Sequence, residues 1–351
     1  MKVLELYSGI GGMHFALNES GVPGIIKAAV EINNIANAVY KHNFPDTLVI
    51  NSNIESLTAE KINKLDVDTI LMSPPCQPFT RNGLKNDIKD PRTDSFQHIL
   101  DLLPDLNIKM ILMENVKGFE ESKMRTHFIN SLVKCEFIYQ EFLINPTQIG
   151  VPNSRPRYYC LAKKTPDKFN FETGLLLHNF PLPCEEVQCF EVANILEEVV
   201  NVNEFSVPLT LLKKNVKTLD VCYRSSRHTC CFTKSYGRYI KGCGSVLSEC
   251  DESEAKKSLE ILQECSQDSD VFLLLSENLN LRFFTPREIC RLMCFPETFN
   301  FPTDINIRQQ YKVLGNSINI KVVSKLIKVL YTLFLTFHCI KINNRITNHS
   351  P

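Results

Sequence analysis

Short apolar runs alternate with stretches of helical pattern through the first half of the chain. Strands are expected at residues 3–7, 24–30, 48–50, 69–72, 110–113 and 137–143, and helical patterns cover 11–18 and 34–42. Strands that alternate with helices are typical of a parallel sheet with helices on both faces. The pattern therefore predicts an α/β fold with a doubly wound, mostly parallel sheet.

The pattern changes in the second half of the chain. Residues 163–281 mix short strands, Pro and Gly, and an acidic stretch at 249–264. A helical pattern returns at Thr285-Pro-Arg-Glu, where Thr suits the N-cap and Pro the first helical position, and it continues over 318–337. A chain of 351 residues fits one large domain with an insertion. We predict a main domain of residues 1–162 and 283–342, an inserted domain of 163–282 and a tail of 343–351.

Charge and cysteine content narrow the class of protein. The 39 basic and 39 acidic residues give a formal net charge of zero, so no overall field attracts a polyanion. The 14 cysteines include no CxxC pair, which indicates reduced thiols, an intracellular protein and no bound metal. The apolar run 329–340 is too short to span a bilayer, so we expect a buried helix there and no membrane partner.

One local stretch has the composition of a polyanion-binding surface. Residues 213–241 hold eight Lys or Arg and a single acid, with Tyr223, Phe232, Tyr236 and Tyr239 between them. Basic side chains interleaved with aromatic rings are typical of nucleic-acid binding, but a solvated, lysine-rich face has the same composition. The stretch by itself leaves both interpretations open.

Polar or conformationally special residues directly follow several of the predicted strands. They are Tyr7-Ser-Gly9, Glu31, Asn53, Ser73-Pro-Pro-Cys76 and Glu114-Asn115. In open parallel sheets, ligands bind at the edge where the carboxyl ends of the strands meet. The sequence therefore predicts one site at this edge of the sheet.

The turn Ser8-Gly-Ile-Gly-Gly-Met13 follows the first strand and opens a helix, so a ligand can approach the backbone closely there. It lacks the third glycine of a dinucleotide fingerprint, because His14 stands in that place. This favours a nucleoside without a pyrophosphate. Glu31 is placed to bind ribose hydroxyls and Asn53-Ile54 to contact adenine, although a surface Glu and a turn Asn would look the same individually. Together these residues suggest S-adenosylmethionine.

Cys76 follows Pro74-Pro75 and precedes Pro78, which makes its loop stiff. Such a cysteine is either a small buried hydrophobe or a nucleophile held at one angle.

Glu114 follows a neighbouring strand. Arg155 and Arg157 point to one face of an extended segment, where they favour a thiolate or form surface salt bridges. A thiolate that adds to carbon-6 of a pyrimidine activates carbon-5, provided that a protonated glutamate binds N3; burial should raise the pKa of that glutamate.

Five motifs follow one another along the chain. They are Tyr7-Ser-Gly-Ile-Gly-Gly12, Pro74-Pro-Cys-Gln77, Glu114-Asn-Val116, Gln148-x-Gly-x-Pro-x-x-Arg-x-Arg157 and Gly315-Asn-Ser-Ile318. In this order they resemble the cytosine-5 methyltransferase family. The resemblance implies a methyltransferase sheet with S-adenosylmethionine as cofactor, and it makes 163–282 a target-recognition domain. It implies that Cys76, Glu114, Arg155 and Arg157 are catalytic. The cofactor-binding residues that it implies are Tyr7, Ser8, Gly9, Ile10, Gly11, Gly12, Met13, Glu31, Ile32, Asn53, Ile54, Pro74, Asn316 and Ser317.

Residues 231–247, which begin Cys231-Phe-Thr, resemble the branch of this family that methylates a cytosine in the anticodon loop of tRNA-Asp. The resemblance implies a tRNA cytosine-5 methyltransferase, acting as an intracellular monomer in the cytoplasm or also in the nucleus. DNA is the alternative substrate, and a non-catalytic nucleic-acid-binding protein of the same fold is a third hypothesis. The nucleic-acid contacts predicted on this basis are Arg81, Lys85, Arg224, Arg227, Cys231, Phe232, Thr233, Lys234, Tyr236 and Arg238.

Overall fold

The structure is a computed structural model that describes residues 1–75, 93–181, 187–198 and 202–332. Cys76, Arg81 and Lys85 lie outside these residues, as does the predicted tail 343–351. Within the described ranges, no helix is long and apolar enough to cross a membrane, and no group of three or more His, Cys, Asp or Glu could hold a metal ion.

A seven-stranded sheet forms the centre of the main domain. Its strands are β1 Lys2–Leu6, β2 Ile25–Glu31, β3 Val49–Asn51, β4 Thr69–Met72, β5 Met110–Val116, β6 Phe137–Ile144 and β7 Arg157–Lys164. Their order across the sheet is β3-β2-β1-β4-β5-β7-β6. The first five are parallel to one another, whereas β7 is antiparallel to both β5 and β6. The predicted mostly parallel sheet is confirmed, and β7 is a strand that the apolar runs do not predict.

Helices cover both faces of this sheet. Those of the main domain are α1 Gly12–Ser20, α2 Asn34–Asn43, α3 Ala59–Lys64, α4 Asp94–Leu102 and α5 Lys123–Lys134 before the insertion, and α10 Pro286–Leu292, α11 Ile307–Gly315 and α12 Ile320–Tyr331 after it. Successive residues of a strand enter different cores: Val3 packs in the core that contains α1 and α12, and Leu4 in the core that contains α4 and α5. The C-terminal helix α12 thus lies beside α1, close to the glycine turn.

Side-chain caps set where several of these helices begin. The Asn33 side chain accepts hydrogen bonds from the amides of Ile35 and Ala36 and starts α2 directly after β2. Thr285 and Glu288 form a capping box at α10, with Pro286 at the first helical position. The predicted start of this helix is confirmed.

The inserted segment has a smaller sheet and helices of its own. Its elements are α6 Val202–Phe205, α7 Leu209–Asn215, β8 Val221–Cys222, β9 Val246–Ser248, α8 Glu252–Glu264, α9 Asp270–Asn278 and β10 Leu281–Phe283. In the three-stranded sheet, β9 pairs with β8 in parallel and with β10 in antiparallel orientation. The predicted acidic stretch corresponds mainly to α8, and β10 crosses the predicted boundary at 282–283.

An ion-pair cluster joins the small sheet to the main domain. The guanidinium of Arg282 in β10 donates to Glu288 of α10 at 2.8 Å and to Glu249 at 2.7 Å. Its side chain is 2% exposed, so the bidentate pair with Glu288 is needed to offset its desolvation. The insertion is therefore tied to α10 by buried charges as well as by apolar packing.

Candidate active site

A cavity of about 330 Å³ opens at the carboxyl ends of β1, β2, β4 and β5. Its walls include all described residues of the predicted catalytic and cofactor-binding sets except Gly11. These are Tyr7, Ser8, Gly9, Ile10, Gly12, Met13, Glu31, Ile32, Asn53, Ile54, Pro74, Glu114, Arg155, Arg157, Asn316 and Ser317. Pro75, the residue before Cys76, also lines the cavity. The structure thus brings residues from seven separate stretches of the chain to one cleft.

The glycine turn at one end of the cleft has a backbone that few side chains permit. Gly9 and Gly11 have φ angles of 53° and 87°, in the left-handed region. A Cβ on Gly11 would also lie 2.8 Å from the Phe44 ring, and one on Gly12 would lie 2.7 Å from the Ile318 side chain. Gly11 is therefore required by conformation and packing, although it does not line the cavity.

Glu31 ends β2 with its carboxylate held against the glycine turn. Oε2 accepts a hydrogen bond from the Gly9 amide at 3.1 Å, and Oε1 accepts from the amides of Ile32 and Asn33 at 2.9 and 2.8 Å. Each carboxylate oxygen can accept more than one hydrogen bond, so Glu31 retains capacity for hydroxyl donors. These bonds orient the carboxylate toward the cavity before a ligand arrives.

The remaining walls of this end suit an adenosine-containing ligand. The Ile32 side chain is 64% exposed at the cavity, and Ile54 provides a second apolar surface. Asn53 caps the 3₁₀ helix Ile54–Ser56 by accepting from the Glu55 amide at 3.3 Å. The hydroxyl of Ser8 is buried and has no hydrogen-bond partner among the described residues, so a polar ligand group would satisfy it. Apolar walls with a few convergent polar groups are typical of cofactor sites.

Glu114, near the end of β5, is the buried carboxyl at the other end of the cleft. Its pairing strand β7 places Arg157 opposite Val116, diagonally across from Glu114, and Arg157 Nε lies 3.4 Å from Glu114 Oε1. Burial raises the pKa of Glu114, and the nearby charges of Arg157 and Arg155 oppose this without cancelling it. The environment therefore favours a protonated carboxyl, as the sequence interpretation requires.

The two arginines of the fourth motif have different surroundings. Arg157 contacts Glu114, whereas Arg155 donates from Nη1 to Phe232 O at 2.9 Å and from Nη2 to Gly315 O at 3.1 Å and to Ser317 O. Arg155 is 3% exposed. The two guanidiniums therefore have different partners: Arg155 is committed mainly to backbone carbonyls, and Arg157 contacts the Glu114 carboxyl.

Cys231 lies between these arginines. Its sulfur is 3.3 Å from Arg155 Nη1 and 3.7 Å from Arg157 Nη2. Burial alone would raise the pKa of this thiol, but the two guanidiniums outweigh burial and lower it. The sequence interpretation treats Cys231 as a nucleic-acid contact, and the structure adds that its sulfur contacts both guanidiniums.

The predicted nucleic-acid contacts divide by burial. Phe232 and Tyr236 are only 2% and 3% exposed, and their rings meet edge to face at 4.9 Å. In this structure both rings are enclosed by protein, so neither presents a free face on which a base could stack. Lys234 and Arg238 are exposed and Thr233 is half-buried. Arg224 and Arg227 are exposed as well, and they pair with Glu249 at 3.6 Å and with Glu191 at 2.6 Å.

Some residues of the cleft escape sequence reasoning. Ser95 receives a hydrogen bond of 3.1 Å from the Tyr7 hydroxyl, and Ser52 and Val313 add to the walls. None of these stands in a recognisable motif. Gly315 and Ile318 also line the cleft but were not among the predicted site residues. Both belong to the last motif, Gly315-Asn-Ser-Ile318, so that motif could have identified them.

Three comparisons with known proteins agree with this geometry. A family model described as C-5 cytosine-specific DNA methylase matches residues 1–332. A protein of Spodoptera frugiperda named tRNA (cytosine(38)-C(5))-methyltransferase is 49% identical over 336 residues, which cover 94% of this chain and 99% of that protein. A human protein of the same name is 41% identical over 389 residues, covering 94% and 99%. A crystal structure of a mutant DNMT2 from Spodoptera frugiperda superposes with a TM-score of 0.87 at 47% identity, covering 94% and 99%.

These matches confirm the family predicted from the motifs and the α/β fold class. S-adenosylmethionine is the methyl donor of this family, so the predicted cofactor is confirmed too. The cleft fits it: Glu31 would hold hydroxyl groups, Ile32 and Ile54 would contact the base, and Ser8 offers an unpaired hydroxyl.

Proposed function

The chain belongs to the C-5 cytosine-specific DNA methylase family, which makes it a cytosine-5 methyltransferase, and we propose that its substrate is an anticodon-loop cytosine of tRNA-Asp. The observation that carries the proposal is the likeness, along 94% of the chain, to proteins named as methyltransferases of tRNA cytosine 38. The exposed cations Lys234 and Arg238 on the segment after Cys231 support it, because phosphates are the groups that such side chains bind.

We propose a covalent route for the chemistry. The Cys76 thiolate adds to carbon-6 of cytosine, and the resulting enamine can attack an electrophile through carbon-5. S-adenosylmethionine, when bound, would supply the methyl group as its methyl–sulfur bond breaks, and S-adenosylhomocysteine would be the leaving group. Loss of the carbon-5 proton to solvent and elimination of the thiolate then restore the ring and the free cysteine.

Glu114 has the chemistry needed at the base during this route. A protonated carboxyl donates a hydrogen bond to N3 and lowers the energy of the negative charge that develops when the thiolate adds. The buried position of Glu114, which raises its pKa, supports this role. Arg157 positions the same carboxyl through its contact of 3.4 Å.

An anticodon loop also suits the energetics of base access. Bases of a loop are partly unstacked, so extruding one costs less than opening a duplex. DNA remains the second candidate, because the family model is described by a DNA activity. We further propose that the protein acts as an intracellular monomer.

The proposal is tested with labelled S-adenosylmethionine and three substrates: unmodified tRNA-Asp, bulk tRNA lacking tRNA-Asp, and duplex DNA. We expect label in tRNA-Asp only, and no label with the Cys76→Ala variant. Cys135→Ala is a matched control, since Cys135 is a buried thiol at the C-terminal end of α5 and does not line the cleft. Equal or greater labelling of DNA would reject tRNA as the substrate, and label with Cys76→Ala would reject the nucleophile.

A further inference from the structure

Two segments from distant parts of the chain meet backbone to backbone above the cleft. Residues 315–317 include Asn316 and Ser317, which line the cofactor end. Residues 231–234 belong to the segment that is proposed to contact tRNA. A Cβ added to Gly315 would lie 2.1 Å from the Lys234 nitrogen and 2.2 Å from the Thr233 carbonyl carbon. Only glycine allows this close approach, so a displacement of either segment displaces the other.

Arg155 bonds to both segments at once. One terminal nitrogen donates to Phe232 O at 2.9 Å, and the other donates to Gly315 O at 3.1 Å and to Ser317 O. The planar guanidinium fixes the angle between these bonds, which an ammonium group cannot do. The backbone of Arg155 is fixed as well, because its amide donates to Asn145 Oδ1 at 2.9 Å.

Arg157, two residues along, makes no hydrogen bond to residues 315–317 in the described part of the chain. It donates to Pro156 O at 2.9 Å and contacts Glu114 and Cys231. Within the described part of the chain, the two arginines therefore have different partners and different predicted roles. Arg157 faces the reacting groups, and Arg155 joins the cofactor-binding loop to the nucleic-acid segment.

We infer that Arg155 is a positioning residue that couples the two binding sites, so that the enzyme binds cofactor more tightly when tRNA is present, and the reverse. This inference rests on the proposed tRNA substrate. The physical reason is a shared loss of conformational entropy. A ligand that fixes residues 315–317 also fixes residues 231–234 through the Arg155 guanidinium, so binding of the second ligand costs less entropy. Coupling of binding energies is reciprocal, so it must be visible from either ligand.

Calorimetric titration with S-adenosylhomocysteine, which cannot react, tests the inference on the full chain. Its Kd is measured with and without saturating unmodified tRNA-Asp transcript, for wild type, Arg155→Lys and Arg157→Lys. We expect wild type to bind it about tenfold more tightly with tRNA, in the usual range for coupled sites. Arg155→Lys should bring this ratio close to one. Arg157→Lys should keep the ratio while it loses turnover.

A second variant guards against a simple folding defect. Gly315→Ala forces residues 233–234 away while it keeps the Arg155 side chain, and it should lower the ratio as well. Thermal melting identifies the variants that remain folded, and a folded variant of either kind suffices for the test. A ratio that stays at the wild-type value in a folded Arg155→Lys or Gly315→Ala protein overturns the inference, as does a wild-type ratio of one. If wild type methylates tRNA-Asp yet shows no coupling, only this inference fails; if it neither binds nor methylates tRNA, the proposed function fails with it.

Discussion

The glycine turn and the segment after Cys231 teach different lessons about local sequence. Along residues 7–13, neighbours in sequence share one surface, because the turn bends the backbone around a single cavity. Along residues 231–238, neighbours separate: Phe232 and Tyr236 enter the core, while Lys234 and Arg238 face solvent. A run of mixed composition therefore predicts a surface only when the backbone geometry is known.

The difference has a physical basis in the surroundings of Tyr236. Its hydroxyl donates to Ser245 O at 2.7 Å and accepts from the Phe284 amide at 2.9 Å. Its ring meets that of Tyr311 in α11 edge to face at 5.1 Å. An aromatic ring with satisfied polar groups gains more from burial than from exposure to water, so the aromatic members of the segment fold inward.

The largest effect is expected at the catalytic end of the cleft. Glu114→Gln keeps the size of the side chain but removes the acidic proton, so turnover should fall by about 10²–10⁴-fold while S-adenosylhomocysteine affinity stays unchanged. Methyl transfer and calorimetry measure the two quantities, with exposed Glu121→Gln as the unaffected control. A matching loss of cofactor affinity would show that Glu114 acts at the cofactor end of the cleft and not at the catalytic end.

Glu114 also predicts the pH dependence. Burial raises its folded pKa above the ordinary 4.5, and the proposed route requires its protonated form. Turnover should therefore be supported below this raised pKa and decline as pH rises through it. In wild type the decline is read from single-turnover rates across pH, and it should be missing from the residual activity of Glu114→Gln. An identical alkaline decline in that variant would assign the titration to another group.

The next effect separates the two kinds of residue in the segment after Cys231. Tyr236→Phe should lower the free energy of unfolding by about 1–3 kcal/mol, since the Ser245 carbonyl and the Phe284 amide lose their buried partner. Arg238→Ala should leave stability almost unchanged, weaken tRNA binding a few-fold and reduce its salt dependence. Urea unfolding and binding at several salt concentrations measure these effects. If Tyr236→Phe alone changed the salt dependence, the division into core and surface would be wrong.

The smallest effect is expected at the cofactor end. Ser8→Ala removes the hydroxyl that lacks a partner among the described residues, and S-adenosylhomocysteine should bind more weakly by about 0.5–1.5 kcal/mol. Ser20→Ala is the matched control, because Ser20 is also a buried serine but lies at the far end of α1, outside the cavity, and donates to Leu17 O. Unchanged affinity in Ser8→Ala would remove Ser8 from the cofactor site.

The sequence alone determined the parallel part of the sheet, the family and most of the cleft. Apolar runs and special residues at strand ends are local signals, and parallel strands bring their carboxyl ends together without further information. This is why Ser8, Glu31 and Glu114 could be assigned to one site before any contact was known. The start of α10 was equally local, since Thr285 and Pro286 cap a helix by themselves.

Only the tertiary structure decided what Arg155 and Tyr236 do. Arg155 bonds to carbonyls about 77 and 160 residues away in the chain, and no spacing rule reaches so far. Tyr236 is buried because Phe232, Phe283 and Tyr311 surround it, which depends on how the inserted domain meets α11. Local chemistry names the groups that can act, but the partners that occupy them are set by long-range packing, which the order of residues does not display.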